Sequence, residues 1–158
     1  MRGLAYYASP IGDLLIESVD DKIITVTFHH GEKLDELPST AITQCLNELD
    51  EYFTARRKFF TVDLDLRGTA FQQRVWNELL TIPYGTTISY EALAVRLGNI
   101  KAIRAVGLAN GQNPVAILVP CHRVIGKSGS LIGYGGGLEN KEWLLYHEGA
   151  LRKQLSLF

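Results

Sequence analysis

Asn113-Pro114-Val115-Ala116-Ile117-Leu118-Val119-Pro120-Cys121-His122-Arg123-Val124-Ile125-Gly126 is the stretch on which the reading of this chain turns. An apolar run ends abruptly in Pro-Cys-His-Arg. A proline holds the residue before it extended and gives no N–H to a sheet, so the run reads as a buried strand that stops at Val119. A cysteine at such a break is backed by packed core and open at its tip. His122 beside it can take the thiol proton directly or through water, and the thiolate is the reactive form of cysteine.

A histidine base needs a third group to fix its tautomer and stabilise the imidazolium. Downstream, residues 138–149 carry the spacing of a helix, with Leu138, Trp143, Leu144 and Leu145 apolar. Glu148 closes that helix just before the stop signal Gly149. A carboxylate there faces the negative end of the helix dipole, where cations are favoured. Pairing with His122 supplies a reason for it. Between the two segments, Gly133-Tyr134-Gly135-Gly136-Gly137 is too poor in Lys-Ser/Thr to cradle phosphate. Its backbone can approach a flat ligand closely, with Tyr134 stacking on it.

Upstream, Thr69 can cap a helix with Phe71, Val75, Trp76, Leu79 and Leu80 on one face. Ser89 can cap a second, residues 90–97, and Gly98-Asn99 breaks it before a third, residues 101–110. Two short helices around a glycine turn, about residues 89–110, fit a helix-turn-helix. The third helix is slim (Ala102, Ala105, Gly107, Ala109) and offers Arg104 as its long cation. That shape suits the minor groove, where an inserted side chain can unstack bases.

Residues 1–68 read differently. Short alternating segments at 4–8, 14–19 and 23–28 predict strands, 40–57 an amphipathic helix, and 59–66 a further strand. Cys45 falls on the apolar stripe of that helix and reads as core. Nothing in this lobe reads as catalytic. The lobe has a net charge of −5 and residues 69–158 one of +4, an asymmetry that allows a polyanion partner for the second half. No apolar run reaches the ~20 residues of a membrane span, and the first residues are no secretory signal. The expectation is a cytoplasmic protein with free thiols. Cys-x-x-Cys and His-x-x-x-His spacings are absent, so neither metal nor cofactor is expected.

Pro120-Cys121-His122-Arg123-Val124, then Gly133-Tyr134-Gly135-Gly136-Gly137-Leu138 and Lys141-Glu142-Trp143-Leu144-Leu145-Tyr146-His147-Glu148, resemble the O6-alkylguanine-DNA alkyltransferases. These are also called methylated-DNA–protein-cysteine methyltransferases. The resemblance runs over about residues 69–150 without a gap, and more loosely over residues 1–68. It implies an α+β fold. A small sheet lobe with a helix, RNase H-like, precedes a mostly helical lobe that contains the helix-turn-helix and ends in a tail, residues 151–158.

The resemblance implies that Cys121 takes an alkyl group from O6 of guanine, and with less force from O4 of thymine, and keeps it. His122 acts as base through a bound water, and Glu148 orients it. Asn113 braces the turn, and Tyr90 helps protonate the leaving purine. Arg104 enters the minor groove and fills the gap left by the flipped nucleotide. The carbonyls of Cys121 and Val124 accept from the guanine amino group, Tyr134 and Gly135 line the pocket, and a backbone N–H near Gly135 donates to O6. Lys101, Ala102 and Lys127 are expected against the DNA backbone.

The sequence departs from the family at Gln112, where members often carry Arg, and at Ala116, where they often carry Pro. The zinc set of some members and the sensing domain of the adaptive-response relatives are missing, which implies a standalone repair protein acting as a monomer. The ending Lys153-Gln154-Leu155-Ser156-Leu157-Phe158 resembles the peptide with which bacterial repair proteins grip the sliding clamp. Two rival readings are a turnover hydrolase with a Cys-His-Glu triad and a lesion-binding module without transfer.

Overall fold

The first lobe is built on a three-stranded meander. The computed structural model describes residues 1–151, with β1 (Arg2–Ser9), β2 (Gly12–Val19) and β3 (Lys22–Phe28) antiparallel in the order β1-β2-β3. Asp20 and Asp21 join β2 to β3 with φ of 50° and 62°, the paired positive values that a tight two-residue hairpin asks for. Along β2, Leu14, Ile16 and Ser18 are buried in strict alternation, so one face of the sheet looks inward. Helix α1 (Thr40–Phe53) covers that face with Ile42, Cys45, Leu49, Tyr52 and Phe53, and the Ser39 side chain caps it by accepting from the Ile42 N–H.

Two expectations fail here. Helix α1 stops at Phe53 rather than at Arg57, and Ala55 follows with φ of 60°. Residues 59–66 form no regular strand. They meet β3 at one point, where the Ile23 N–H donates to Asp63 O and the Asp65 N–H to Ile23 O. The outer edge of β3 is shared. From Val26 onward it is taken by the second lobe, where the Val26 N–H donates to Pro114 O and the Ala116 N–H to Val26 O. Each newcomer gets only a residue or two of edge, too little for a ladder.

The second lobe is helical. Thr69 and Gln72 form a reciprocal cap on α2 (Ala70–Leu79), whose Trp76 donates its indole N–H to Ala109 O at 2.8 Å. Then come β4 (Ile88–Ser89), α3 (Tyr90–Arg96) capped by Ser89, one turn of 3₁₀ helix over Ile100–Ala102, and α4 (Ile103–Gly111). Gly98, at φ 87°, makes the break before α4. A short β5 (Val124–Ile125) runs parallel to β4, and α5 (Leu138–His147) ends the described fold. One apolar core runs through both lobes, from Ile16 and Leu49 to Leu93 and Leu144. This is the α+β arrangement expected, a sheet lobe with a helix followed by a helical lobe. Among the described residues no helix is long and apolar enough to cross a membrane.

Candidate active site

Cys121 opens a single turn of 3₁₀ helix, Cys121–Arg123, after a tightly turned loop, and is not at the tip of a strand. The Leu118 N–H donates to Ala116 O around Ile117, a β-branched residue held at φ 73°, where such side chains are strained. The Cys121 N–H then donates to Val119 O at 2.8 Å around Pro120 (φ −84°, ψ 62°), an inverse γ-turn. Side-chain amides hold the loop in place of a ladder. Asn113 donates to Val119 O at 2.7 Å and accepts from the Val115 N–H at 3.0 Å, while Asn110 donates to Cys121 O at 3.4 Å. The thiol is also less open than the sequence implies, at 6% exposure. Burial pushes its pKa up, and an Asn113 hydrogen bond and the Lys141 charge pull it back.

His122 and Glu148 are both fully buried side chains, and His122 Nε2 lies 2.8 Å from Glu148 Oε2. Burial raises the proton affinity of that carboxylate, but hydrogen bonds and charge from His122 and Arg123 outweigh it and hold Glu148 well below the usual carboxylate range. An ionised carboxylate only accepts, so Nε2 carries the hydrogen and Nδ1 the lone pair. Nδ1 has no hydrogen-bond partner among the described residues. Burial lowers the His122 pKa, against the pull of Glu148, so the ring is neutral at pH 7 with its basic nitrogen free.

Cys121 opens onto a cleft of about 670 Å³ between the lobes, whose walls include Asn113, Ala116, Tyr134 and Gly135, with Phe28 and His29 from the first lobe. The Tyr134 ring meets Phe28 edge-on, and its buried hydroxyl has no partner among the described residues. The Val124 carbonyl accepts from Lys141 Nζ at 2.7 Å, leaving its second lone pair. Tyr90 donates its hydroxyl to Ile132 O at 3.0 Å, so its proton is already engaged. Its pKa is raised by burial and then by the nearby Cys121.

Arg104 lies apart from Cys121. It is exposed on α4 and lines an open apolar cleft of about 360 Å³ with Tyr90, Ile103, Gly107, Ile132 and Gly133. Tyr90 therefore touches that cleft while feeling the charge of the thiol. Lys101 is exposed, Ala102 is half-buried at the head of α4, and Lys127 pairs with Glu91 at 3.3 Å on the surface. Residues 154–158, with the clamp-like peptide, lie outside the described residues.

Three residues escaped the sequence reading. Arg123 grips Glu148 with both Nε (2.7 Å) and Nη2 (3.0 Å) and donates to Ile82 O. Its place beside the Cys-His pair was a signal. Lys141 is fully buried and donates to the carbonyls of Val124, Ile132 and Gly133. It stands four residues before Leu145, on the apolar face of α5, where a solvated lysine does not belong. Tyr52 donates its hydroxyl to Glu148 Oε2 at 2.6 Å, so the first lobe does reach the histidine–carboxylate pair, contrary to expectation. It looked like one more aromatic on the core stripe of α1.

Models of two domains match end to end. Residues 4–66 match the ribonuclease-like domain of 6-O-methylguanine DNA methyltransferase, and residues 70–150 match its DNA binding domain. The chain is 45% identical over 152 residues to a methylated-DNA–protein-cysteine methyltransferase of Methanosarcina acetivorans, covering 92% of this chain and 97% of that one. With the Mycobacterium leprae protein of the same name it shares 49% over 142 residues, 87% of this chain and 86% of the other. The crystal structure of Mycobacterium tuberculosis O6-methylguanine methyltransferase superimposes with a TM-score of 0.81 at 43% identity, over 99% and 98% of the two chains. Mycobacterium tuberculosis OGT in complex with DNA does so with a TM-score of 0.83 at 46% identity, over 92% and 91%. Both lobes, the second of which carries Cys121, thus place this chain in the O6-alkylguanine-DNA alkyltransferase family.

Proposed function

We propose that the protein repairs O6-alkylguanine in double-stranded DNA by moving the alkyl group onto Sγ of Cys121, once per molecule. The observation that carries this reading is the buried thiol at the floor of a cleft, next to a neutral His122 whose Nδ1 is free and whose Nε2–H is anchored on Glu148. The thiol proton passes to Nδ1 through a water. Sulfur attacks the alkyl carbon in line, the C–S bond forms and the bond to O6 breaks. The departing guanine oxyanion takes a proton, for which Tyr90 is the donor once it lets go of Ile132 O. Asn113 keeps the turn in shape throughout. A thioether is not hydrolysed by water, so the acceptor is consumed. O4-alkylthymine is the second substrate of the same reading.

The alkyl carbon lies inside the duplex, so the nucleotide must leave the stack at a cost of a few kcal/mol. Arg104, on its slim helix, occupies the hole from the minor groove. Lys101, Lys127 and the backbone at Ala102 hold phosphates, giving a salt-dependent affinity. In the cleft, Tyr134 and Gly135 bracket the purine, and its amino hydrogens go to the second lone pair of Val124 O and to Cys121 O, which shares them with the Asn110 amide and the Val124 N–H it already accepts from.

Mass spectrometry after mixing with O6-methylguanine duplex checks the reading. The expected outcome is a gain of one methyl on the Cys121 peptide and a burst of one equivalent. Continued turnover with the thiol still free belongs to a hydrolase and overturns it, and binding without mass gain belongs to a lesion-binding module. Arg104→Ala is expected to slow repair in duplex more than in single strands; equal slowing rejects the finger role. A reducing compartment such as the cytoplasm keeps the acceptor thiol free, and the monomer is the acting unit. Residues 154–158 add a proposed contact to the bacterial sliding clamp, with Leu157-Phe158 in an apolar pocket and Gln154 on polar groups. Equal retention of the full chain and a chain lacking 154–158 on immobilised clamp defeats that contact.

A further inference from the structure

Glu148 Oε2 receives three donors: His122 Nε2 at 2.8 Å, Arg123 Nη2 at 3.0 Å and the Tyr52 hydroxyl at 2.6 Å. The shortest comes from the other lobe, 96 residues away in the chain. The Tyr52 ring is fully buried against Phe53, Phe60, Tyr84 and His147, and its own carbonyl is 2.6 Å from His147 Nε2. A phenol so fixed has no freedom to leave the carboxylate. We propose that Tyr52 is a positioning residue for alkyl transfer: through its hydroxyl the sheet lobe sets how strongly Glu148 holds the proton of His122. This rests on the reading of Cys121, His122 and Glu148 as acceptor, base and orienting carboxylate.

The physical argument is competition for one oxygen. A carboxylate oxygen has two in-plane lone pairs, so three donors share them. Each hydrogen bond to the charged form draws density from it and weakens its hold on the others. Burial, and then the charge of Glu148, keep the Tyr52 hydroxyl protonated well past its ordinary range, so it remains a donor at any working pH. With Tyr52 in place, Glu148 anchors the imidazole without making Nδ1 too basic to be neutral. Without that donor, Oε2 attracts the Nε2 hydrogen more strongly, the imidazolium gains stability, and His122 protonates at a higher pH. The other charged or titratable groups that bear on the pair are Arg123, Tyr84 and Tyr134 on Glu148, and Arg123 and Lys141 on His122. Replacing Tyr52 by phenylalanine alters none of them and keeps the ring packing.

The experiment is single-turnover methyl transfer from O6-methylguanine duplex, from about pH 5.5 to about pH 9, for the full wild-type chain, Tyr52→Phe and Glu148→Gln. For Tyr52→Phe the acid limb of the rate profile moves to higher pH. The rate near pH 6 falls by about three- to tenfold, since one unit of displacement is tenfold on such a limb, and the rate near pH 8 changes far less. Affinity for the duplex stays that of the wild type. A role in packing alone lowers the melting temperature and leaves the profile where it was, and that outcome overturns the proposal. If Glu148→Gln moves or collapses the profile while Tyr52→Phe superimposes on wild type, the relay stands and Tyr52 has no part in it. If Glu148→Gln also superimposes, the relay reading itself falls. Should the phenylalanine variant not fold, 3-fluorotyrosine at position 52 decides. Its more acidic hydroxyl binds Glu148 more tightly, and the acid limb must move to lower pH; an unmoved limb overturns the proposal.

Discussion

Cys45 and Cys121 are both free and both withdrawn from solvent, at 0% and 6% exposure. Around Cys45, burial and the charge of Glu48 act in the same direction and push the thiol up to about 12. Around Cys121 burial acts alone in that direction, while the Asn113 amide and the Lys141 ammonium oppose it. Cys45 lies in the middle of a helix, where the backbone is self-satisfied. Cys121 lies at the end of a loop whose carbonyls are held by Asn110, Asn113 and Lys141. Burial therefore does not mark the proposed acceptor. What marks it is that burial is opposed by fixed polar groups, and that a neutral histidine with a free nitrogen stands next to it in the chain.

The severest test of that difference removes the carboxylate that anchors His122, for Cys45 has no histidine beside it in the chain. Glu148→Gln leaves the Arg123 guanidinium buried without its counter-ion and His122 without an anchor. We expect transfer to fall by roughly 10²–10⁴-fold and the fold to lose about 3–5 kcal/mol. Single-turnover kinetics and urea unfolding read the two losses. The charge also sets a pH window. Glu148 is held well below its ordinary value of 4.5, so its contribution to stability is complete above that value and fades as pH falls toward the folded-state pKa. His122 has a lowered pKa too, so the unfolded chain binds its proton first and stability declines as pH drops below 6.5. Unfolding free energy that stays flat from neutral pH to about pH 5 contradicts the His122 assignment, and one that stays flat from there down to about pH 3 contradicts that of Glu148.

Much of this contrast was legible in the sequence, because the signals were local. Pro120 beside Cys121-His122, a carboxylate at the wrong end of a helix before Gly149, and the caps Thr69 and Ser89 each carry their meaning within a few residues. The long-range pairings were not legible. Residues 59–66 and 113–119 both have strand-like composition, but they share one edge of β3, and only the fold decides who pairs with it. Tyr52 reads as core because it is core; its hydroxyl acquires a purpose only when α1 packs 96 residues from its partner. Lys141 is the intermediate case. Its place on an apolar face was visible, and the three carbonyls that receive it were not.

Lys141 gives a smaller effect with a distinctive shape. Burial lowers its pKa to about 8, with Cys121 pulling the other way. Above that pH the folded protein sheds the proton while the unfolded chain, near 10.5, keeps it, so the thiolate loses a cation without the fold being weakened by the titration. Lys141→Met fills similar space and removes both the charge and the three donated hydrogen bonds. Transfer at neutral pH is expected to drop about tenfold. The wild-type rate should turn down on the alkaline side near pH 8, and the variant should lack that turn. A descending limb that survives in the variant assigns it to another group.

The smallest change completes the contrast from the other side. Cys45→Ala removes one buried sulfur from the face of α1 that packs on the sheet. A hole of that size costs about 1 kcal/mol, read as a lower urea midpoint with an unchanged slope. The variant should still take up one methyl per chain on Cys121, at the wild-type rate, because Cys45 makes no polar contact with the site. Iodoacetamide on the native wild-type protein should likewise mark Cys121 and spare Cys45. If Cys45→Ala were as stable as wild type but slow in transfer, the thiol inside α1 would be acting on the chemistry, and opposed burial would no longer separate the two cysteines.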